Sequence, residues 1–130
     1  MMNTQPTILV VDDEWLNREL IEGIFSVFNY DVLLANGGDA ALKLLAHETP
    51  NLIVMDVRMP DMDGYTLCEK VKSNSQTAHI PVIMITALEL SDAEKQRIYN
   101  AGADDIVSRM ALSKLLVEKV GQHLAHKLAS

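Results

Sequence analysis

Five short apolar runs constrain the fold of this chain more than any other feature. They are "TILVV" (7–11), "DVLLA" (31–35), "NLIVM" (51–55), "IPVIMIT" (80–86) and "DIVS" (105–108). Each has the length of a strand rather than a helix, and each is apolar nearly throughout instead of alternating. That pattern predicts strands covered on both faces. Pro81 is tolerable near the start of the fourth run, where a ladder donor is not needed. Between the runs the apolar spacing becomes helical. Residues 14–28 carry Leu16, Leu20, Ile24 and Phe28 at intervals of four, which predicts a helix burying that face. "NGG" (36–38) breaks the chain, and 39–47 reads as a helix with Ala40, Leu44 and Leu45 inward. Residues 64–73 form a short helix carrying Leu67 and Val71. Ser91 and Glu94 have the spacing of a capping box, opening a helix to about 101 that Gly102 stops. A last helix runs from 111 to 128.

Strand and helix thus alternate through five β-α units, which predicts an α/β fold with a doubly wound parallel sheet and right-handed crossovers. No repeat or linker divides residues 1–130, so a single domain is expected, with its core over about 7–125. The net charge is −7 with no Lys/Arg cluster, which makes nucleic acid an unfavourable direct partner. One cysteine, Cys68, allows no internal disulfide and points to a reducing compartment. No apolar stretch approaches the roughly 20 residues that span a bilayer, and "MMNTQPT" lacks the basic-then-apolar order of a secretory signal. The expected location is the cytoplasm, without membrane contact.

In open α/β sheets the site lies beyond the carboxyl ends of the strands. The first run ends in Asp12-Asp13, followed by Glu14; the third ends in Asp56, the fourth in Thr86-Ala87, and the fifth near Arg109. Carboxylates, a hydroxyl and a cation therefore converge on one edge. Clustered carboxylates repel one another, and a hard divalent cation such as Mg²⁺ resolves the repulsion. Such a site suits a phosphoryl group: an Asp attacks phosphorus while a Thr hydroxyl and a cation hold the equatorial oxygens.

"ILVVDDE", "IVMDVRMPDMDG", "IPVIMITAL" and "AGADDIV" together resemble the receiver domain of two-component response regulators, over essentially the whole chain. The resemblance implies a flavodoxin-like sheet of order 2-1-3-4-5 with five helices. It implies Asp56 as phosphoacceptor, Asp13 binding Mg²⁺ directly and Asp12 through water, and the backbone carbonyl of Arg58 as a further ligand beside Asp56. Thr86 would contact the phosphoryl group, and Ala87 would be the small neighbour that leaves room for it. The donor would be a histidine kinase or histidine phosphotransfer protein. An output domain or target protein would be reached through the face of the fourth helix, fifth strand and fifth helix. Self-dephosphorylation would be slow, and no other enzymatic activity is expected.

Two positions depart from the family pattern. Arg109-Met110 stands where Lys-Pro is usual, and Ile106 stands where Tyr or Phe is usual. Arg is a planar fork on a longer arm and does not fill the volume of a Lys. It can still pair with Asp56 or with phosphate. The family's Lys-Pro bond is commonly cis. With Met110 a cis bond would cost about 3 kcal/mol, so a trans bond and a rearranged loop are expected. Ile106 has no ring to rotate, which predicts weak coupling from the site to the output face. These departures favour the alternative of a pseudo-receiver that ignores phosphate. A Mg²⁺-dependent phosphohydrolase is disfavoured, because Asp56-Val57-Arg58 lacks the second acid of a D-x-D motif.

Lesser features are read blandly. His123 and His126 are taken as solvated residues near a helix end, and His47 and His79 as loop residues. Cys68 is expected in partial contact with the core, Trp15 packed at the mouth of the site, and Tyr99 on the outer side of its helix. Leu112, Leu116, Val120, Leu124 and Leu128 exceed what covering the sheet requires, which suggests a homodimer contact or continuation into an output domain. "PVIMITAL" and "GYTLCEKVK" resemble receivers that precede nucleotide-cyclase-type outputs.

Overall fold

The computed structural model describes residues 5–86 and 90–129, the last four of these by backbone alone. The strands are β1 (Thr7–Val11), β2 (Asp31–Ala35), β3 (Leu52–Asp56), β4 (Val82–Thr86) and β5 (Asp105–Ser108). The helices are α1 (Trp15–Val27), α2 (Gly38–Leu45), α3 (Gly64–Ser73), α4 (Asp92–Asn100) and α5 (Val117–Ala129). All strands are parallel, as the apolar pattern predicts, in the order β2-β1-β3-β4-β5 that the family resemblance implies. The order reverses at β1, between β2 and β3, and this places the crevice of the fold beside the carboxyl ends of β1 and β3.

Strand side chains alternate between two apolar clusters. Ile53 and Met55 of β3 join Ala41, Leu67, Cys68, Val71 and Ile98 beneath α2, α3 and α4. Leu52 and Val54 join Ile21, Phe25, Leu116, Val120 and Leu124 beneath α1 and α5. Each fully buried aliphatic side chain contributes about 1.5–3 kcal/mol, and these two clusters hold the sheet between its helix layers. Cys68 is completely buried, more than the partial contact expected of it. Burial pushes its thiol pKa up to about 11, so it behaves as a small core residue.

The face of α1 differs from expectation. Ile21 and Phe25 are buried and Ile24 packs half-buried on the same cluster as expected, whereas Leu16 (70% exposed), Leu20 (55%), Val27 (75%) and Phe28 (50%) point to solvent. The helix carries two apolar stripes, and spacing alone does not choose between them. Its rotation is fixed by its entry. Glu14 N–H donates to Asp12 Oδ1 at 2.9 Å and the Arg18 guanidinium to the Asp12 carbonyl at 2.8 Å, turning the 18-21-25 side inward. At its C-terminus Asn29 takes a left-handed conformation (φ 62°), which Asn tolerates better than most residues.

The other boundaries follow the sequence closely. Ser91 and Glu94 form the expected capping box, and Gly102 ends α4 with φ 107°. The segment before α5 is the exception. Continuous α-helix from 111 is not formed; a 3-10 turn over Arg109–Ala111 is followed by a π-helical turn over Leu112–Leu116. The Ser108 hydroxyl accepts from Met110 N–H and opens this tight turn. The Arg109–Met110 bond is trans, since the described residues contain no cis peptide. Leu112, Leu116, Val120 and Leu124 are all buried against the sheet, so these four of the five leucine and valine positions are accounted for within the domain.

Candidate functional site

β1 ends at Val11, and the chain turns out of the sheet at Asp12 and Asp13. Asp12 is buried, and its Oδ1 accepts from Glu14 N–H and, at 3.5 Å, from Asn17 Nδ2. Asp13 is exposed. Asp56 is the last residue of β3, half-buried, with Oδ1 accepting from Arg58 N–H at 3.3 Å. The loop after β3 folds back so closely that a Cβ on Gly64 would lie 2.5 Å from the Asp56 carbonyl oxygen. Gly64 N–H donates to the Val57 carbonyl at 2.7 Å, and Asp63 caps α3 by accepting from Thr66 N–H. Glycine at 64 is therefore a requirement of the loop that presents Asp56. Thr86 ends β4, is buried, and lines the same cleft as Asp56.

Arg109 reaches back into this cleft from the end of β5. Its Nη2 lies 3.0 Å from Asp56 Oδ2 and 3.3 Å from Asp12 Oδ2, so one nitrogen bridges two carboxylates. Its Nη1 is buried and has no partner among the described residues. A buried donor left unpaired costs about 1–3 kcal/mol. Burial pushes the Asp56 carboxyl above its ordinary pKa. The charges of Asp12 and Asp13 push the same way, and the Arg58 amide and Arg109 oppose them.

Asp12, Asp13 and Asp56 each offer an oxygen within 4.8 Å of the others. Mg²⁺ takes oxygen ligands at about 2.0–2.1 Å in octahedral geometry, so oxygens on opposite sides of one ion lie about 4.2 Å apart. The donor set is all hard oxygen and its span is close to that value, so these residues fit such an ion. Ala87 lies outside the described residues.

The cleft above the acids has a volume of about 730 Å³. Beyond the residues read from the sequence, Tyr65, Leu90, Glu94 and Arg97 line it. The Arg97 guanidinium sits 3.9 Å from the centroid of the Tyr65 ring, a stack that joins α3 to α4 across the cleft. No local spacing marks this pair, since its members are on different helices. Asp61 was also invisible to local patterns: its carboxylate accepts from Gly38 and Asp39 N–H, tying the β3–α3 loop to the start of α2. Trp15, expected to pack at the mouth of the site, is instead 62% exposed and does not line the cleft, and Met110 is 89% exposed. His123, expected to be solvated, has Nε2 3.0 Å from Asp105 Oδ2, and Lys119 Nζ lies 2.8 Å from Asp105 Oδ1. Tyr99 is exposed on α4, as expected.

A family model described as the response regulator receiver domain matches residues 8–121 of this chain. The chain belongs to that family. The receiver is 39% identical over 123 residues to "Response regulator PleD" of Caulobacter vibrioides, covering 93% of this chain and 26% of that protein. It is 39% identical over 116 residues to "Probable transcriptional regulator ycf27" of Porphyridium aerugineum, covering 87% of this chain and 45% of that protein. It therefore spans between about a quarter and half of these curated relatives. Among solved structures it is similar to a putative response regulator from Chloroflexus aurantiacus. There the TM-score is 0.88 and the identity 32%, covering 94% of this chain and 99% of that one. It is also similar to a signal receiver domain of a signal transduction histidine kinase from Syntrophus aciditrophicus. That match has a TM-score of 0.86 and 31% identity, covering 93% and 91%. The receiver thus has the flavodoxin-like fold read from its sequence and the family role of two-component signalling. Among the described residues no helix is long and apolar enough to cross a membrane.

Proposed function

We propose that this receiver accepts a phosphoryl group on Asp56 from a phosphohistidine of a histidine kinase or phosphotransfer protein. The observation that carries this reading is the convergence of Asp12, Asp13, Thr86 and Arg109 around Asp56 at the carboxyl edge of the sheet. An Asp56 carboxylate oxygen attacks phosphorus, forming an acyl phosphate. The P–N bond breaks, and its electron pair returns to the imidazole, which takes up a proton. Mg²⁺ held by Asp12, Asp13, Asp56 and the Arg58 carbonyl would offset charge on the transferring group. Thr86 and Arg109 hold phosphoryl oxygens as the negative charge moves onto Asp56.

The solvent face of α1 supports a protein donor. Leu16, Leu20 and Val27 form an apolar stripe on the helix that begins beside Asp12 and Asp13, and Trp15 and Met110, which follow the cleft residues Glu14 and Arg109 in the chain, are exposed as well. An apolar helical surface seated there would bring a phosphohistidine over Asp56. The signal would leave through α4, β5 and α5 toward an output domain, a target or a second copy. It would do so without a rotating ring, because Ile106 is half-buried among the α4-side cluster. Turnover of the acyl phosphate is slow hydrolysis, not enzymatic catalysis.

Intact-mass spectrometry after incubation with acetyl phosphate and Mg²⁺ tests the reading. One added phosphoryl group, about 80 Da, is expected in the native chain and absent in Asp56→Asn or with chelator. If no added mass forms while the chain remains folded, the phosphorylation-independent interaction module becomes the better reading.

A further inference from the structure

The turn "NGG" (36–38) does more than break the chain between β2 and α2. Helix α2 starts without a side chain of its own to cap it, because Gly37 stands at the N-cap. The leading amides of a helix need acceptors from outside it. Those of Gly38 and Asp39 find the Asp61 carboxylate, with Oδ1 at 3.4 Å and Oδ2 at 3.1 Å. The bond from Asp39 N–H holds the Asp61 carboxyl below its ordinary pKa, so an anion sits at the positive end of the helix. Both glycines are needed for this approach. A Cβ on Gly37 would lie 2.7 Å from Asp61 Oδ1 and 3.0 Å from its Cγ, and a Cβ on Gly38 would lie 2.7 Å from Met62 Sδ. The tandem glycines thus form a seat for the Asp61-Met62 pair.

Asp61 and Met62 belong to the loop between β3 and α3, which presents Asp56. On one side of that loop Arg58 N–H donates to Asp56 Oδ1. On the other side Asp61 is fastened to α2, and the Arg58 carbonyl lies between the two fastenings. We infer that Asp61 is a positioning residue: seated on Gly37-Gly38, it holds the 57–63 loop in the register in which Asp56 and the Arg58 carbonyl serve one cation. The inference rests on the Mg²⁺ site proposed above and deepens it. It makes the entry of α2, a helix with no residue lining the cleft, part of what sets cation affinity.

The test is calorimetric Mg²⁺ titration of the full chain without a phosphodonor, with urea unfolding to verify that each variant is folded. Asp61→Ala removes both bonds, and Mg²⁺ affinity should fall about tenfold, the scale on which supporting residues act on a metal. Asp61→Asn loses the same charge but keeps an oxygen for Asp39 N–H, so it should stay within about threefold of native. Gly37→Ala keeps every charge. Gly37 is extended (φ 172°), so the added methyl conflicts with the Asp61 carboxyl and not with the backbone angles. It should weaken Mg²⁺ as much as Asp61→Ala does. Both changes act through one contact, so combining them should add nothing further.

Equal affinity in Asp61→Ala and Asp61→Asn would assign the loss to charge. Native affinity in a folded Gly37→Ala would separate the seat from the cation. Either result, or additive losses in the combined variant, overturns the positioning role and leaves the metal site standing. Absence of Mg²⁺ binding by the native chain overturns both. A further readout needs no variant, because coupling between two sites is reciprocal. Saturating Mg²⁺ should slow hydrogen exchange at the Asp39 amide of the native chain, and unchanged exchange there also overturns the proposal.

Discussion

Replacing Asp56 by Asn should make the metal-free protein more stable while removing its phosphoacceptor. The Asp56 carboxylate faces two others at no more than 4.8 Å. At an effective dielectric of about 20, each such pair repels by about 3.5 kcal/mol, and the Arg109 contact at 3.0 Å returns about 5.5 kcal/mol. The balance is a net repulsion of about 1.5 kcal/mol, to which the burial of the charge adds. Asn keeps the oxygen that accepts from Arg58 N–H and loses the charge. The expected gain is about 1–3 kcal/mol, or a rise in Tm of about 4–10 °C for a domain of this size. The folded-state pKa of Asp56 is raised, so its destabilising effect appears as pH rises through the ordinary carboxylate range. The advantage of Asn should therefore fade below about pH 3, where the carboxyl is protonated in both states. Mg²⁺ should narrow the gap by binding the native chain, by about 1.4 kcal/mol at ten times its Kd. Thermal unfolding in chelator across pH 3–8 measures all of this. An Asn variant that melts at or below the native temperature at pH 7 would refute the reasoning.

Gly64→Ala forces a Cβ to within 2.5 Å of the Asp56 carbonyl and 2.9 Å of Val57 Cα; urea unfolding should show a loss of about 1–3 kcal/mol, with slower phosphorylation by acetyl phosphate. Leu16→Ala with Leu20→Ala removes solvent-exposed surface, so stability should stay within about 0.5 kcal/mol per site. Phosphorylation by acetyl phosphate should persist in that variant while transfer from a phosphorylated histidine phosphotransfer protein slows; equal slowing with both donors would count against α1 as the docking face. At Asp105, burial works to raise the carboxyl pKa, but hydrogen bonds from Lys119 and His123 hold it below the ordinary range. Its contribution is present above the unfolded-state pKa and lost as pH falls through the lower folded value. Asp105→Asn should thus cost stability at pH 7 and cost progressively less as pH falls below the ordinary carboxylate range in urea titrations.

The strands and the acids at the strand ends were legible because each rests on local signals: continuous apolar runs, capping residues and the residue that ends each run; the sheet order came only from the resemblance to receiver domains. The rotation of α1 was not. Leu16-Leu20 and Ile21-Phe25 are equally good stripes, and the choice between them is made by Arg18 and Glu14 gripping Asp12. Asp105 with His123, and Tyr65 with Arg97, are contacts between separate elements, and no spacing within either element announces them. The trans bond and altered turn at Arg109 were legible from chemistry, since Met110 offers none of proline's tolerance for cis. That a single nitrogen of Arg109 would bridge Asp12 and Asp56 depends on the length of its arm across the sheet edge, which only the folded geometry reveals.

The division of the interior into two clusters that share no side chain has a consequence for how such a chain diverges over generations. The exposed stripe of α1 is backed by one cluster alone, while α3 and α4 rest on the other. Substitutions that retune which donor fits α1 therefore disturb neither the packing of α4 nor the loop that carries Asp56. Because α5 shares the α1 cluster, the sheet insulates from α1 only the α4 part of the proposed output face, and a change beneath α1 that alters the packing would be felt first at α5.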